Sequence, residues 1–220
     1  QSHPAVTIRG IINRGGEQGA QHSQALHAWF AHVPGLRVVM PSTVADARDL
    51  LIASVLCNDP VMFIDDRWLY DQEDDLPPIV EIDLATQRPI VSLRGSDITI
   101  VASGHSSLLA REAAQLLKSK GISVEVVDIR VLNPLHTEII IESVKKTKNL
   151  LVVDSGWTSG GFSAEIIAKV VEQLPVDCLN NSPVRIALPD APAPSSRVLE
   201  KAYYTSTDDL VEATKKILKK

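Results

Sequence analysis

Short, unbroken apolar runs recur along this chain, each separated from the next by a segment with helical spacing. Leu150-Leu-Val-Val153 is the clearest of them. A strand without polar alternation has apolar neighbours on both faces, so it belongs in a parallel sheet covered by helices. Residues 37–40, 60–64, 97–102, 123–129 and 184–187 read the same way. Between them, apolar residues return every three or four positions, as in Val44, Ala47, Leu50, Leu51 and Ser54, with Ser42 or Thr43 as the cap. The same spacing predicts helices over 23–33 (Leu26, Trp29, Phe30 and Val33, stopped by Pro34-Gly35), 108–120, 137–147, 162–174 and 208–218. Alternating strands and helices require parallel pairing through right-handed crossovers.

The rhythm breaks once, between Asp71 and Gly95. The acidic run Glu73-Asp-Asp75, Pro77-Pro78 and Pro89 read as an interdomain linker with one or two edge strands. The expected class is therefore α/β with mostly parallel sheet: one unit over 1–70, a linker over 71–95 and a second unit over 96–220. Val6-Thr-Ile-Arg9 already reads as a strand, so the first unit is expected to be the later half of a domain.

Composition narrows the functions. The formal charge is −5, which argues against a nucleic-acid surface, because phosphate binding needs clustered Lys and Arg. The lysines between 215 and 220 suit the negative end of a helix rather than a binding tail. Cys57 and Cys178 stand alone, without metal or disulfide spacing, which fits a reducing, cytoplasmic setting. No apolar run is long enough for a membrane span, and no signal peptide is legible.

Six histidines are the first candidates for chemistry. His22 follows the glycine-rich stretch Asn13-Arg-Gly-Gly-Glu-Gln-Gly19 and is expected at the mouth of a helix, where it either bonds to backbone or reaches into a crevice. His105, in Ser103-Gly-His-Ser-Ser107, stands after a strand, where open sheets place ligands; a loop or capping role is equally open. His27 and His32 read as exposed or satisfied within a helix, His136 as structural, and His3 as terminal. Gly15, Gly16 and Gly19 match neither a P-loop nor a dinucleotide fingerprint. Thr158-Ser-Gly-Gly-Phe-Ser163 offers N–H groups at a helix start, for an anion or for tight packing. Asp65, Asp66 and Tyr70 line a cleft or form a solvated acidic turn.

Several motifs, in order, resemble one family. Gln21-His-Ser-Gln24, His32-Val-Pro-Gly-Leu-Arg-Val-Val39, Asp46-Ala-Arg-Asp-Leu-Leu51, Asp59-Pro-Val, Val127-Asp-Ile-Arg-Val-Leu-Asn-Pro134, Glu142-Ser-Val-Lys-Lys-Thr147 and Gly160-Gly-Phe-Ser-Ala-Glu-Ile166 are similar to the beta subunit of thiamin-dependent 2-oxoacid dehydrogenases. That family includes the first components of pyruvate, branched-chain and acetoin dehydrogenases, with transketolase more distant. The resemblance implies the second half of a pyrimidine-binding domain followed by a transketolase C-terminal domain. It implies His22 as the active-site histidine, placed near the substrate on thiamin diphosphate. The cofactor and its magnesium are expected to be held mainly by an alpha subunit or by chain outside these residues. Potassium is implied on main-chain carbonyls around Ser54, Val55, Cys57 and Asp59. Partners implied are the alpha subunit, a second beta subunit through the C-terminal domain, in a heterotetramer, and a lipoyl acyltransferase core; a eukaryotic member would work in the mitochondrial matrix. Asp65-Asp-Arg-Trp-Leu-Tyr70 departs from the pattern of pyruvate enzymes and leaves the 2-oxoacid open. Trp157 matches a position near a subunit interface. The alternatives are a transketolase-like enzyme of sugar phosphates, disfavoured because only Arg9 and Arg14 lie near His22 in sequence, and a non-catalytic dimerisation and docking piece.

Overall fold

A computed structural model describes residues 4–219, so His3 and Lys220 lie outside it. The chain forms two sheets. In the first, β1 (Thr7–Ile12), β3 (Val61–Asp66) and β2 (Arg37–Val39) run parallel, and β7 (Val131–Asn133) adds an antiparallel edge. In the second, β6 (Val124–Asp128), β5 (Ile98–Ala102), β8 (Leu150–Trp157) and β9 (Val184–Leu188) are parallel. The antiparallel edge strand β4 (Ile90–Leu93) comes from the proline-rich segment. Every residue of β5 and of β6 is buried, as their unbroken apolar runs require.

The helices are α1 (Gly19–His22), α2 (His27–Ala31), α3 (Val44–Leu56), α4 (His105–Lys118), α5 (Glu138–Thr147), α6 (Phe162–Gln173), α7 (Arg197–Tyr203) and α8 (Thr207–Leu218). Thr43 caps α3 by accepting the Asp46 N–H at 3.1 Å. Ser206 and Asp209 close α8 with a reciprocal capping box. Lys215 and Lys216 occupy the last turn of α8, at its negative pole. No described helix is long and apolar enough to cross a membrane.

The two sheets share one buried cluster, and each also packs a cluster of its own. Val38, Met40 and Ile64 of the first unit pack in the same buried cluster as Val101, Val127, Ile129, Ile140 and Phe162 of the second. A polar seam runs beside it. Ser42 donates to the buried Asp128, Arg111 reaches Ser42 at 3.3 Å, and Arg130 binds Asp46 at 2.9 Å.

The stretch 23–33 does not form the single amphipathic helix that its spacing predicts. Residues 23–26 are irregular, and only the five-residue α2 is helical, with the separate four-residue α1 ahead of them. The expected inner face is rotated: Trp29 is 71% exposed, whereas His27 is only 1% exposed. The reason is tertiary. His27 Nε2 bonds Asp154 Oδ1 at 2.8 Å across the two units, and that buried contact overrides the apolar periodicity. His22 consequently ends a helix instead of opening one.

Candidate functional site

The carboxyl ends of β1 and β3 carry the densest group of polar side chains. Gly15, at φ +68°, turns the loop back so closely that a Cβ there would sit 3.0 Å from the Trp68 ring. This places Arg14 over Trp68, with its guanidinium 5.7 Å from the ring centroid. Arg14 pairs with Asp66 at 2.5 Å, and the two side chains are 3% and 0% exposed. Trp68 Nε1 donates to the Arg14 carbonyl at 2.5 Å. Trp68 then meets His105 edge-on at 5.0 Å and Tyr204 at 5.3 Å between centroids. Asp65 is more open, binding Arg9 and accepting the Tyr70 hydroxyl at 3.0 Å.

Thus Asp66 and Asp65 are ion-paired and not a solvated turn. His105 is the first residue of α4, 7% exposed, and not a loop residue. The neighbours that bury it, Trp68 and Tyr204, are far away in sequence. His22 stands outside this cluster, exposed at the end of α1. The loop before it is clamped by α7: the Glu17 N–H donates to Glu200 at 3.0 Å, the Arg197 N–H to Glu17 at 3.2 Å, and a Cβ on Gly19 would collide with Ser195. Nothing in the sequence flagged α7, because its exposed face holds Val198 and Leu199 while Glu200 turns inward, the reverse of an amphipathic pattern.

The segment Thr158–Ser163 does serve an anion, through the Ser163 N–H, and the anion is internal. Asp154 Oδ2 accepts the Ser163 N–H at 2.7 Å, and Oδ1 accepts the Gly156 N–H at 2.9 Å. Gly161 has no side chain with which to cap α6, so a carboxylate from β8 takes that place. A helix start without a capping side chain was the available signal. Burial alone would push the Asp154 carboxyl up, but His27 and the two N–H donors outweigh it and hold it at about 2. Trp157 donates to the Ala191 carbonyl and to the Tyr203 hydroxyl, both at 2.9 Å.

The residues around the end of α3 lie at the opposite end of the first sheet, a strand's length of roughly 20 Å from Asp66. The Ser54 carbonyl accepts the Thr7 hydroxyl at 2.7 Å. Val55 is 65% exposed, Cys57 is the C-terminal cap with extended backbone, and the Asp59 carboxylate is held by Arg37 at 2.6 Å. Among the described residues, no three His, Cys, Asp or Glu side chains gather as a metal site.

Two buried groups titrate in opposite senses. Burial holds the Asp128 carboxyl up at about 6, against an ordinary 3.8. Burial, and then the charge of Arg14, push His105 down to about 4 from 6.5. As pH falls from 6.5 towards 4, the unfolded chain takes up the histidine proton first, so His105 removes stability. Asp128 is protonated first in the folded chain, so it adds stability as pH falls through 6 towards 3.8. Each displacement is worth on the order of 3 kcal/mol, and the two nearly cancel. Asp128→Asn is therefore expected to make stability fall with acid over this window, and His105→Gln to make it rise. Urea midpoints across the range test this; profiles unchanged in both variants would contradict it.

Comparison with known proteins places the whole arrangement. The family model described as transketolase, C-terminal domain, matches residues 89–210, more than half of the chain. The chain belongs to the transketolase C-terminal domain family. The model of the transketolase pyrimidine-binding domain matches residues 1–72. Among curated relatives, the pyruvate dehydrogenase E1 component subunit beta of Rhizobium meliloti is 35% identical over 212 residues, which is 96% of this chain and 46% of that one. The mitochondrial counterpart in Dictyostelium discoideum is 38% identical over 90% of this chain and 56% of its own length. The chain thus spans about half the length of these relatives. A solved split-gene transketolase, described as an inactive beta4 tetramer, superposes with a TM-score of 0.77 at 25% identity, covering 97% of this chain and 66% of that one. In this transketolase-type frame, β1, β2, β3 and their loops fall in the pyrimidine-binding match, and β4 to β9 in the C-terminal one.

Proposed function

We propose that this chain is part of the beta subunit of the first component of a 2-oxoacid dehydrogenase, which decarboxylates a 2-oxoacid and passes the acyl group to a lipoyl carrier. The observation that carries the reading is the collinear likeness to pyruvate dehydrogenase beta subunits over 96% of the chain. We take 1–70 and 96–220 as its two units, with the linker 71–95 donating β4 to the second sheet.

His22 is the proposed catalytic residue. It ends α1, just after the loop that leaves the carboxyl edge of β1, where open α/β sheets place ligands, and an exposed imidazole there can serve as a general acid or base. Thiamin diphosphate, when bound, supplies the electron sink. Among the described residues no His, Cys, Asp and Glu side chains gather as a metal site; we assign the diphosphate and its metal mainly to the alpha subunit or to chain beyond these residues, and activity to the completed assembly. The second unit would face a second beta subunit and the acyltransferase core. The two free cysteines, Cys57 and Cys178, suit a reducing compartment, cytoplasm or mitochondrial matrix.

Potassium fits better than magnesium. The last carbonyls of α3 are hard oxygen donors at the negative pole of a helix, and the Ser54 carbonyl already faces Thr7 there. Binding on Ser54, Val55, Cys57 and Asp59 is expected to raise the unfolding midpoint by roughly 2–4 °C in potassium chloride over tetramethylammonium chloride at equal ionic strength. Equal midpoints in the two salts would remove the site.

The decisive assay pairs the full-length beta subunit with its alpha partner and measures carbon dioxide release from pyruvate and from branched-chain 2-oxoacids. His22→Ala is expected to lower kcat about a hundredfold. Wild-type activity in that variant would remove His22, and ketol transfer between sugar phosphates in place of decarboxylation would replace the whole reading.

A further inference from the structure

A cavity of about 430 Å³ lies between the loop after β1, the start of α4 and helices α7 and α8. Its size suits a small molecule. Trp68, His105 and Tyr204 form an aromatic wall, and Arg197 and Lys201 stand exposed among the other lining residues. Two polar atoms of that wall have no partner. His105 Nδ1 and the Tyr204 hydroxyl are buried and make no hydrogen bond, in residues each 7% exposed. Both atoms are closed to solvent, so a ligand in the cavity pairs with one only when that ring turns towards it, which would relieve an unpaired buried polar atom.

The charges favour an anion. Of the charged side chains that line it, Arg197 and Lys201 outnumber Glu200, whose carboxylate is buried on the Glu17 N–H at 3.0 Å; Glu112, outside the lining, meets the Thr207 hydroxyl at 2.8 Å. Ser206 and Thr207 add the positive pole of the twelve-residue α8.

We propose that this cavity binds a small planar organic acid. Its flat ring lies against Trp68 and Tyr204, its carboxylate meets Arg197 and Lys201, and a polar atom of the ligand pairs with His105 or Tyr204. The site is separate from His22, yet α7 also holds Glu17 in the loop that leads to it, so an occupant bears on that loop.

The test is calorimetric titration of this chain with benzoate, with benzamide, cyclohexanecarboxylate and inorganic phosphate as comparisons. Saturable binding of one benzoate is expected, with each comparison compound about tenfold weaker, a difference of 1.4 kcal/mol. The double substitution Arg197→Ala and Lys201→Ala, on exposed positions, is expected to weaken benzoate binding at least about tenfold with an unchanged urea midpoint. Thr205→Trp, which fills the cavity, is expected to abolish it. Absence of saturable binding, a comparison compound binding as tightly as benzoate, or binding that survives both sets of substitutions would each overturn the proposal. The dehydrogenase reading is untouched by any of these outcomes, since no turnover is measured.

Discussion

Asp154→Ala is expected to destabilise the protein by about 3 kcal/mol or more, because it removes the one acceptor shared by three buried groups. The carboxylate, 4% exposed, satisfies His27 from the first unit, the Gly156 N–H, and the Ser163 N–H at the start of α6. Deleting it leaves an imidazole and two N–H groups buried without an acceptor. Urea unfolding at neutral pH measures the loss, and a change below about 1 kcal/mol would show that the seam between the units does not depend on this contact. The same residue has a pH signature. Its folded value of about 2 lies below the ordinary 3.8, so its contribution is complete above 3.8 and disappears as pH falls through 2. Asp154→Asn is expected to lack that acid limb.

The second large effect is expected at Arg14. Arg14→Met strands Asp66, which is wholly buried and otherwise receives only the Trp68 N–H at 3.2 Å. A loss of about 3–5 kcal/mol follows from the uncompensated charge. Pairing the change with Asp66→Leu is expected to restore most of it, because an apolar pair of similar volume avoids the desolvation cost of the ion pair. If the double variant stays as unstable as the single one, the cost lies in lost packing over Trp68 instead. The loop after β1 depends on this pair, so the single variant is also expected to loosen the segment leading to His22, seen as faster amide exchange at Gly15 and Gly16.

The strands and most helices were legible because their information is local. Leu150-Leu-Val-Val153 is apolar on both faces and becomes the centre of a covered sheet whatever else surrounds it. Thr43, Ser206 and Asp209 state their caps within four residues of the helices they start. The turn from β1 was announced by its glycines, of which Gly15 and Gly16 take positive φ.

What the sequence did not hold was pairing over long separations. Nothing near His27 marks it as the partner of Asp154, 127 positions on, although that bond faces the imidazole inward in α2. Nothing near His105 marks it as the neighbour of Trp68 and Tyr204, although those rings make it a neutral, buried histidine. Periodicity and capping are short-range consequences of backbone geometry, so the order of residues fixes them by itself. The partners of buried charges are set by which sheet ends meet when the two units share a core, and only the tertiary structure decides that.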